Sequence, residues 1–128
     1  MATTLTDTER TVTERTSLFY SATLKDHQAT PVVLALASVN SITLNLRDKA
    51  SGKMILTGVG VKNANGGTLH ATSGAFEYEF TPAQNAIVNP NLAEGQTETH
   101  VATFTVVYSS TRELNHVVPI IVEQLKDI

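Results

Sequence analysis

The sequence predicts an all-β protein built from two stacked sheets. Three observations carry that prediction. Apolar and polar residues alternate at a period of two over much of residues 18–122, as half-buried strands require. Turn-forming clusters, among them residues 48–52 (DKASG) and 63–67 (NANGG), punctuate these runs. No stretch keeps the spacing of an amphipathic helix beyond one or two turns.

The elements follow in order. Seven of the first sixteen residues are threonine, and TERT occurs at 8–11 and again at 13–16. That repeat of five matches neither strand nor helix periodicity, so residues 1–17 read either as a floppy polar terminus or as an extended polar arm that orders against a neighbour. Leu18, Tyr20, Ala22 and Leu24 then share one face of a first strand, and residues 25–28 turn. Residues 31–37 (PVVLALA) form a short buried run, a strand with an irregular end. Ile42, Leu44 and Leu46 alternate with Thr43, Asn45 and Arg47, and residues 48–52 turn. The apolar stretch 54–61 contains Gly58 and Gly60, which predict a bulge or bend. NANGG is the strongest turn signal, because Asn and Gly tolerate the positive φ of tight hairpins. Phe76, Tyr78 and Phe80 alternate with Glu77 and Glu79. Thr81, Pro82 and Gln84 form the N-cap, first-position and reciprocal-partner pattern of one helical turn that carries the chain between sheets. Residues 89–96 are a loop, 99–108 a long strand with Ala102, Phe104, Val106 and Tyr108 on one face, and 117–122 a last strand. Pro119 lacks an N–H, which places that strand at an edge.

Six to eight short strands in one chain of 128 residues predict a single sandwich. The expected fold is an immunoglobulin-like antiparallel β-sandwich over 18–128, preceded by the extended N-terminal arm, 1–17; a jelly roll is the next architecture. Charged residues are only 16 % and the net charge is −3, with the basic residues scattered, so no nucleic-acid partner is expected. The absence of cysteine excludes disulfides and thiolate chemistry. The N-terminus has no apolar signal region and no run approaches the ~20 residues that span a bilayer, so the chain reads as made in the cytoplasm with no membrane partner.

The search for chemistry gives no enzyme. His27, His70, His100 and His116 are far apart and form no HExxH spacing. Glu98 and His100 share a strand face, but a metal site needs further ligands from elsewhere, and an isolated strand histidine such as His100 reads as a surface residue. Glu77 and Glu79 read as the wet face of a strand, Gly58-Val59-Gly60 lacks the lysine and helix of a phosphate loop, and no GxSxG elbow exists. The expectation is therefore no catalytic, cofactor or metal site and no cofactor. A binding or structural role is favoured, with Leu5, Arg10, Val12 and Arg15 of the arm as the candidate partner-binding residues.

The order of several segments resembles the immunoglobulin-like domains of tailed-phage virion proteins, such as the N-terminal domain of baseplate upper proteins. The matching segments are Tyr20-Ser21-Ala22-Thr23-Leu24 followed by Asp26 and Pro31-Val32-Val33-Leu34, then Ala37-Ser38-Val39 before the strand at 42–46. Gly74-Ala75-Phe76-Glu77-Tyr78 before Thr81-Pro82, and Phe104-Thr105-Val106 before the Pro119 strand, complete the series over residues 17–123. The polar arm is reminiscent of capsid cement or decoration proteins. The resemblance implies a virion structural protein, localised to the virion, with other virion proteins (the major capsid protein or tail proteins) as partners in a multi-copy arrangement. A tail, neck or baseplate adaptor is the alternative within that class, and a carbohydrate- or receptor-binding module the alternative outside it. An extended arm of sixteen residues reaches about 50 Å, enough to touch a neighbouring subunit.

Overall fold

A computed structural model describes residues 3–26, 33–109 and 112–124. Among them are nine strands and one 3₁₀ turn: β1 (Thr3–Thr6), β2 (Arg10–Thr13), β3 (Leu18–Thr23), the turn Leu36–Ser38, β4 (Val39–Asp48), β5 (Met54–Gly60), β6 (Gly67–Leu69), β7 (Ala75–Phe80), β8 (Thr97–Tyr108) and β9 (Arg112–Glu123). The larger sheet runs β1-β9-β8-β4-β5, with β2 also on β9; the smaller runs β3-β7-β6. The two sheets pack face to face, as the alternation predicts.

The core is the sum of the inward phases. β4 contributes Ile42, Leu44 and Leu46, β8 Ala102, Phe104 and Val106, and β9 Leu114, Val118, Ile120 and Val122. The smaller sheet answers with Tyr20, Leu69, Phe76, Tyr78 and Phe80. Phe104 sits at the centre. Its ring stacks on Tyr20 at 5.7 Å between centroids and meets Phe76 and Tyr78 edge-on at 5.2 and 5.8 Å. Offset and edge contacts suit the ring quadrupoles, so this cluster joins the sheets beyond simple area burial.

Several expectations hold in detail. Thr81 N–H donates to Gln84 Oε1 at 3.0 Å and Gln84 N–H donates back to Thr81 Oγ1 at 3.3 Å, the reciprocal cap read from the sequence. Gly58 has φ +61°, and the β4–β5 register shifts beside it. Others are corrected. NANGG is a turn, with Asn63, Asn65 and Gly66 all at positive φ, but it is no hairpin: it carries the chain from β5 in one sheet to β6 in the other. The stretch 33–37 is not a strand. Val33 makes one bridge to Lys25, Leu34 N–H donates to Leu24 O, and a 3₁₀ turn follows; Pro31 and Val32 lie outside the described residues. β8 begins two residues earlier than expected and β9 five, because the pair forms one ladder from Thr97↔Glu123 to Tyr108↔Arg112.

The arm residues lie along their own chain's last strand. β1 pairs in parallel with residues 114–117 and β2 with 120–123 of β9. Between them, residues 7–9 leave the sheet opposite Pro119, for a reason in the backbone. Val117 O and Glu123 O accept from Asp7 and Glu14 N–H, so odd-numbered residues of β9 face the arm. Pro119 shares that parity and has no hydrogen to give. β9 is therefore not the edge strand that Pro119 predicts: it lies between β8 and the arm strands, and the proline marks where the outer ladder breaks.

Candidate functional site

Three places gather polar groups: the arm, a cluster beneath it, and a cluster at the far end of β8.

In the arm, Leu5 is 42 % exposed, and Arg15 is exposed with φ +58°. Val12 differs: it is 7 % exposed and belongs to the hydrophobic core of its own chain. Arg10 is half-buried, with its guanidinium 5.1 Å from the Tyr20 ring centroid and 3.4 Å from Asp7 Oδ2. So Leu5 and Arg15 are presented outward, whereas Val12 and Arg10 are engaged within the molecule.

Below the arm, the Tyr20 hydroxyl lies 2.7 Å from both Asp7 Oδ2 and His116 Nε2. One hydroxyl hydrogen serves one acceptor, and ionised Asp7 can only accept. Tyr20 therefore donates to Asp7, and His116 Nε2–H donates to the Tyr20 oxygen. That tautomer leaves His116 Nδ1 bare, and this atom is buried without a protein partner. Burial is the largest influence on Tyr20 and, with the Asp7 carboxylate, pushes its pKa far above the usual tyrosine value. Burial also depresses His116, against the attraction of Asp7. For Asp7, burial acts upward but is outweighed by the Tyr20 hydroxyl, the Thr8 N–H, Arg10 and His116, which hold it below the ordinary carboxylate value. A tyrosine held so firmly in its protonated form is a poor proton donor or nucleophile at neutral pH. The arrangement ties the arm to both sheets.

At the start of β8, Glu98 and His100 keep the parity of Ala102 and Phe104 and so point inward. His100 is fully buried, which corrects its reading as a surface residue, and Glu98 is 8 % exposed. Asp48 ends β4 in register with His100 and continues the inward phase of Leu44 and Leu46. One carboxylate oxygen each of Asp48 and Glu98 and a ring nitrogen of His100 lie within 4.8 Å of one another. His100 Nε2 is 2.5 Å from Glu98 Oε2. Glu98 also accepts from Val88 N–H at 2.7 Å and Asn89 N–H at 3.0 Å, which ties the loop after the capped turn to β8. Asp48 Oδ2 accepts from the Ser51 hydroxyl at 2.6 Å and its N–H at 3.1 Å. Two clefts of about 470 and 400 Å³ flank this corner and share Asp48, Ala50 and Asn89 in their walls.

No protein-family model and no curated protein matches the chain.

Of the other histidines, His70 is exposed and 2.6 Å from Glu77, and His27 lies outside the described residues. Glu79 is exposed as expected. Period-two spacing puts Glu98 and His100 on one face, but nothing near them in sequence points to the third member, Asp48. The DKASG turn signal takes in Asp48, although its spacing of two from Leu46 puts it in the inward phase.

Proposed function

We propose that the chain is a structural subunit of a tailed-phage virion, a capsid cement or decoration protein that binds its shell through its body and N-terminal arm. The observation that carries this reading is how the arm is held. Its two strands add to the free side of β9 by main-chain pairing, with Val12, among the described arm residues, the one in the hydrophobic core. Strand addition of this kind depends little on side chains, so a threonine-rich segment suits it. The same pairing can be exchanged between copies at little cost, because cis and trans arms make identical contacts. On a symmetric shell, many weak attachments of this sort give high avidity. The sandwich body and the segment resemblance over residues 17–123 support the same reading.

The test is the composition of purified particles of the phage that encodes the chain. A decoration subunit is present in hundreds of copies, on the order of the shell subunits themselves. A neck, tail or baseplate adaptor, the second reading with the same fold, is present in about six or twelve. Absence from the particles overturns both. Deleting residues 2–6 removes β1 but keeps Asp7 and Val12; the expected result is a folded body with reduced occupancy on particles.

A further inference from the structure

We propose that Asp48, Glu98 and His100 form a binding site for a divalent transition-metal ion of the zinc class. The ion would clamp the loop after the capped turn to the β4–β5 turn. Strand register builds the cluster. Asp48 and His100 are direct partners across β4 and β8, and Glu98 lies two residues from His100 on the same face. Their three donor atoms lie within 4.8 Å of one another.

Two features separate this corner from an ordinary group of polar residues. Asp48 is 3 % exposed, and with Oδ2 occupied by Ser51, its Oδ1 is buried with no protein partner. His100 Nδ1 is likewise buried and unpartnered. A buried acceptor without a donor is costly, and two carboxylates brought this close out of water need compensating positive charge. The exposed-face alternative is closed to them, because the parity of β4 and β8 turns all three inward. Lys49 stands in the wall of the larger cleft, but no ion pair joins it to Asp48 or Glu98 among the described residues. That cleft, lined by both carboxylate residues, supplies the entry path.

The donor set selects the ion. Two carboxylates and one imidazole suit Zn²⁺, Mn²⁺ or Co²⁺, whereas Ca²⁺ and Mg²⁺ prefer all-oxygen shells and more ligands. The order of divalent affinities favours zinc over manganese at such a site. Ligand bonds of about 2.0–2.2 Å place donor atoms roughly 3.3 Å apart in a tetrahedron. The close His100–Glu98 contact must therefore open slightly as Asp48 moves in, with water from the cleft as fourth ligand. The backbone N–H groups of Val88 and Asn89 on Glu98, and Ser51 on Asp48, then act as the outer shell that orients the carboxylates.

The test uses the untagged full-length chain, stripped with chelator and titrated with ZnCl₂ by calorimetry, and with CoCl₂ by visible absorption. The expected result is one ion per chain, low-coordinate cobalt bands, and a melting midpoint raised by about 5 °C or more at a hundredfold excess over Kd. Asp48→Asn keeps an oxygen for Ser51 and should weaken zinc binding about a hundredfold. Long-range ¹H–¹⁵N spectra of the wild-type imidazoles provide a check that needs no variant. A ring nitrogen of His100 should shift with zinc while those of His116 stay in place. No zinc or cobalt binding below about 100 μM (a free energy too small to organise the site), full affinity in the Asp48→Asn chain, or shifts confined to His70 and His27 would overturn the proposal.

Discussion

The Tyr20 hydroxyl donates to Asp7 Oδ2 at 2.7 Å, so a strand of the smaller sheet holds the segment that links the arm's two strands on the larger one. A hydrogen bond to a charged group contributes about 1.5–3 kcal/mol, and this one also positions the acceptor for His116. Tyr20→Phe should therefore destabilise the protein by about 2 kcal/mol. Amide exchange would show where: the amides of residues 3–13 should exchange faster by a larger factor than those of β4 and β8.

The same cluster sets an acid limit. His116 has a folded pKa below its ordinary 6.5, so the unfolded chain takes up its proton first. Its contribution is complete above pH 6.5 and is lost as pH falls from there through the folded value. Asp7, depressed below 3.8, contributes above that value and is lost at still lower pH. Tyr20 and Tyr78 are raised above 10.0, each chiefly by burial, so stability also declines as pH climbs past 10. Urea midpoints against pH should show a plateau between about 7 and 10 with falling limbs on both sides. His116→Gln should flatten the acid limb that begins below pH 6.5; an unchanged slope there would assign it to another group.

Phe104 contacts four aromatic rings, Tyr20, Phe76, Tyr78 and Phe80. Phe104→Ala should cost about 3–5 kcal/mol, a large share of the 5–15 kcal/mol typical of a domain. Calorimetric melting is the direct check, and a shift of only a degree or two would mean the cavity collapses.

Two glycines near the crossing between sheets should behave oppositely. A Cβ on Gly67 would stand 2.0 Å from Val61 O, so Gly67→Ala must displace the start of β6. The loss should exceed 2 kcal/mol, roughly the upper range for overpacking. A Cβ on Gly60 meets nothing within 4 Å, and its φ is not in the left-handed region. Gly60→Ala should be neutral or stabilising by about 0.4–1 kcal/mol through the unfolded chain. Paired denaturation curves decide the matter.

In the arm, Val12 and Leu5 separate anchoring from presentation. Val12→Ala removes a core side chain and should cost about 1–2.5 kcal/mol. Leu5→Ala, at a side chain 42 % exposed, should change stability by no more than about 0.5 kcal/mol. Limited proteolysis should find the Val12→Ala arm cleaved first.

The local alphabet determined a good deal by itself. Period-two patterning placed Tyr20, Phe76, Tyr78, Phe80 and Phe104 in the core, and Thr81 with Gln84 announced their own cap, because these features depend on neighbours two or three residues away. Parity even carried the inward direction of Asp48, Glu98 and His100, although polar side chains argue for water and so masked it. Tertiary structure alone decided which strand meets which. That the arm returns to β9, that NANGG changes sheet rather than closing a hairpin, and that Asp7 finds Tyr20 and His116 depend on contacts far apart in the chain. Such contacts form only when burial of the whole core outweighs the entropy of closing long loops, a balance that no local run of residues contains.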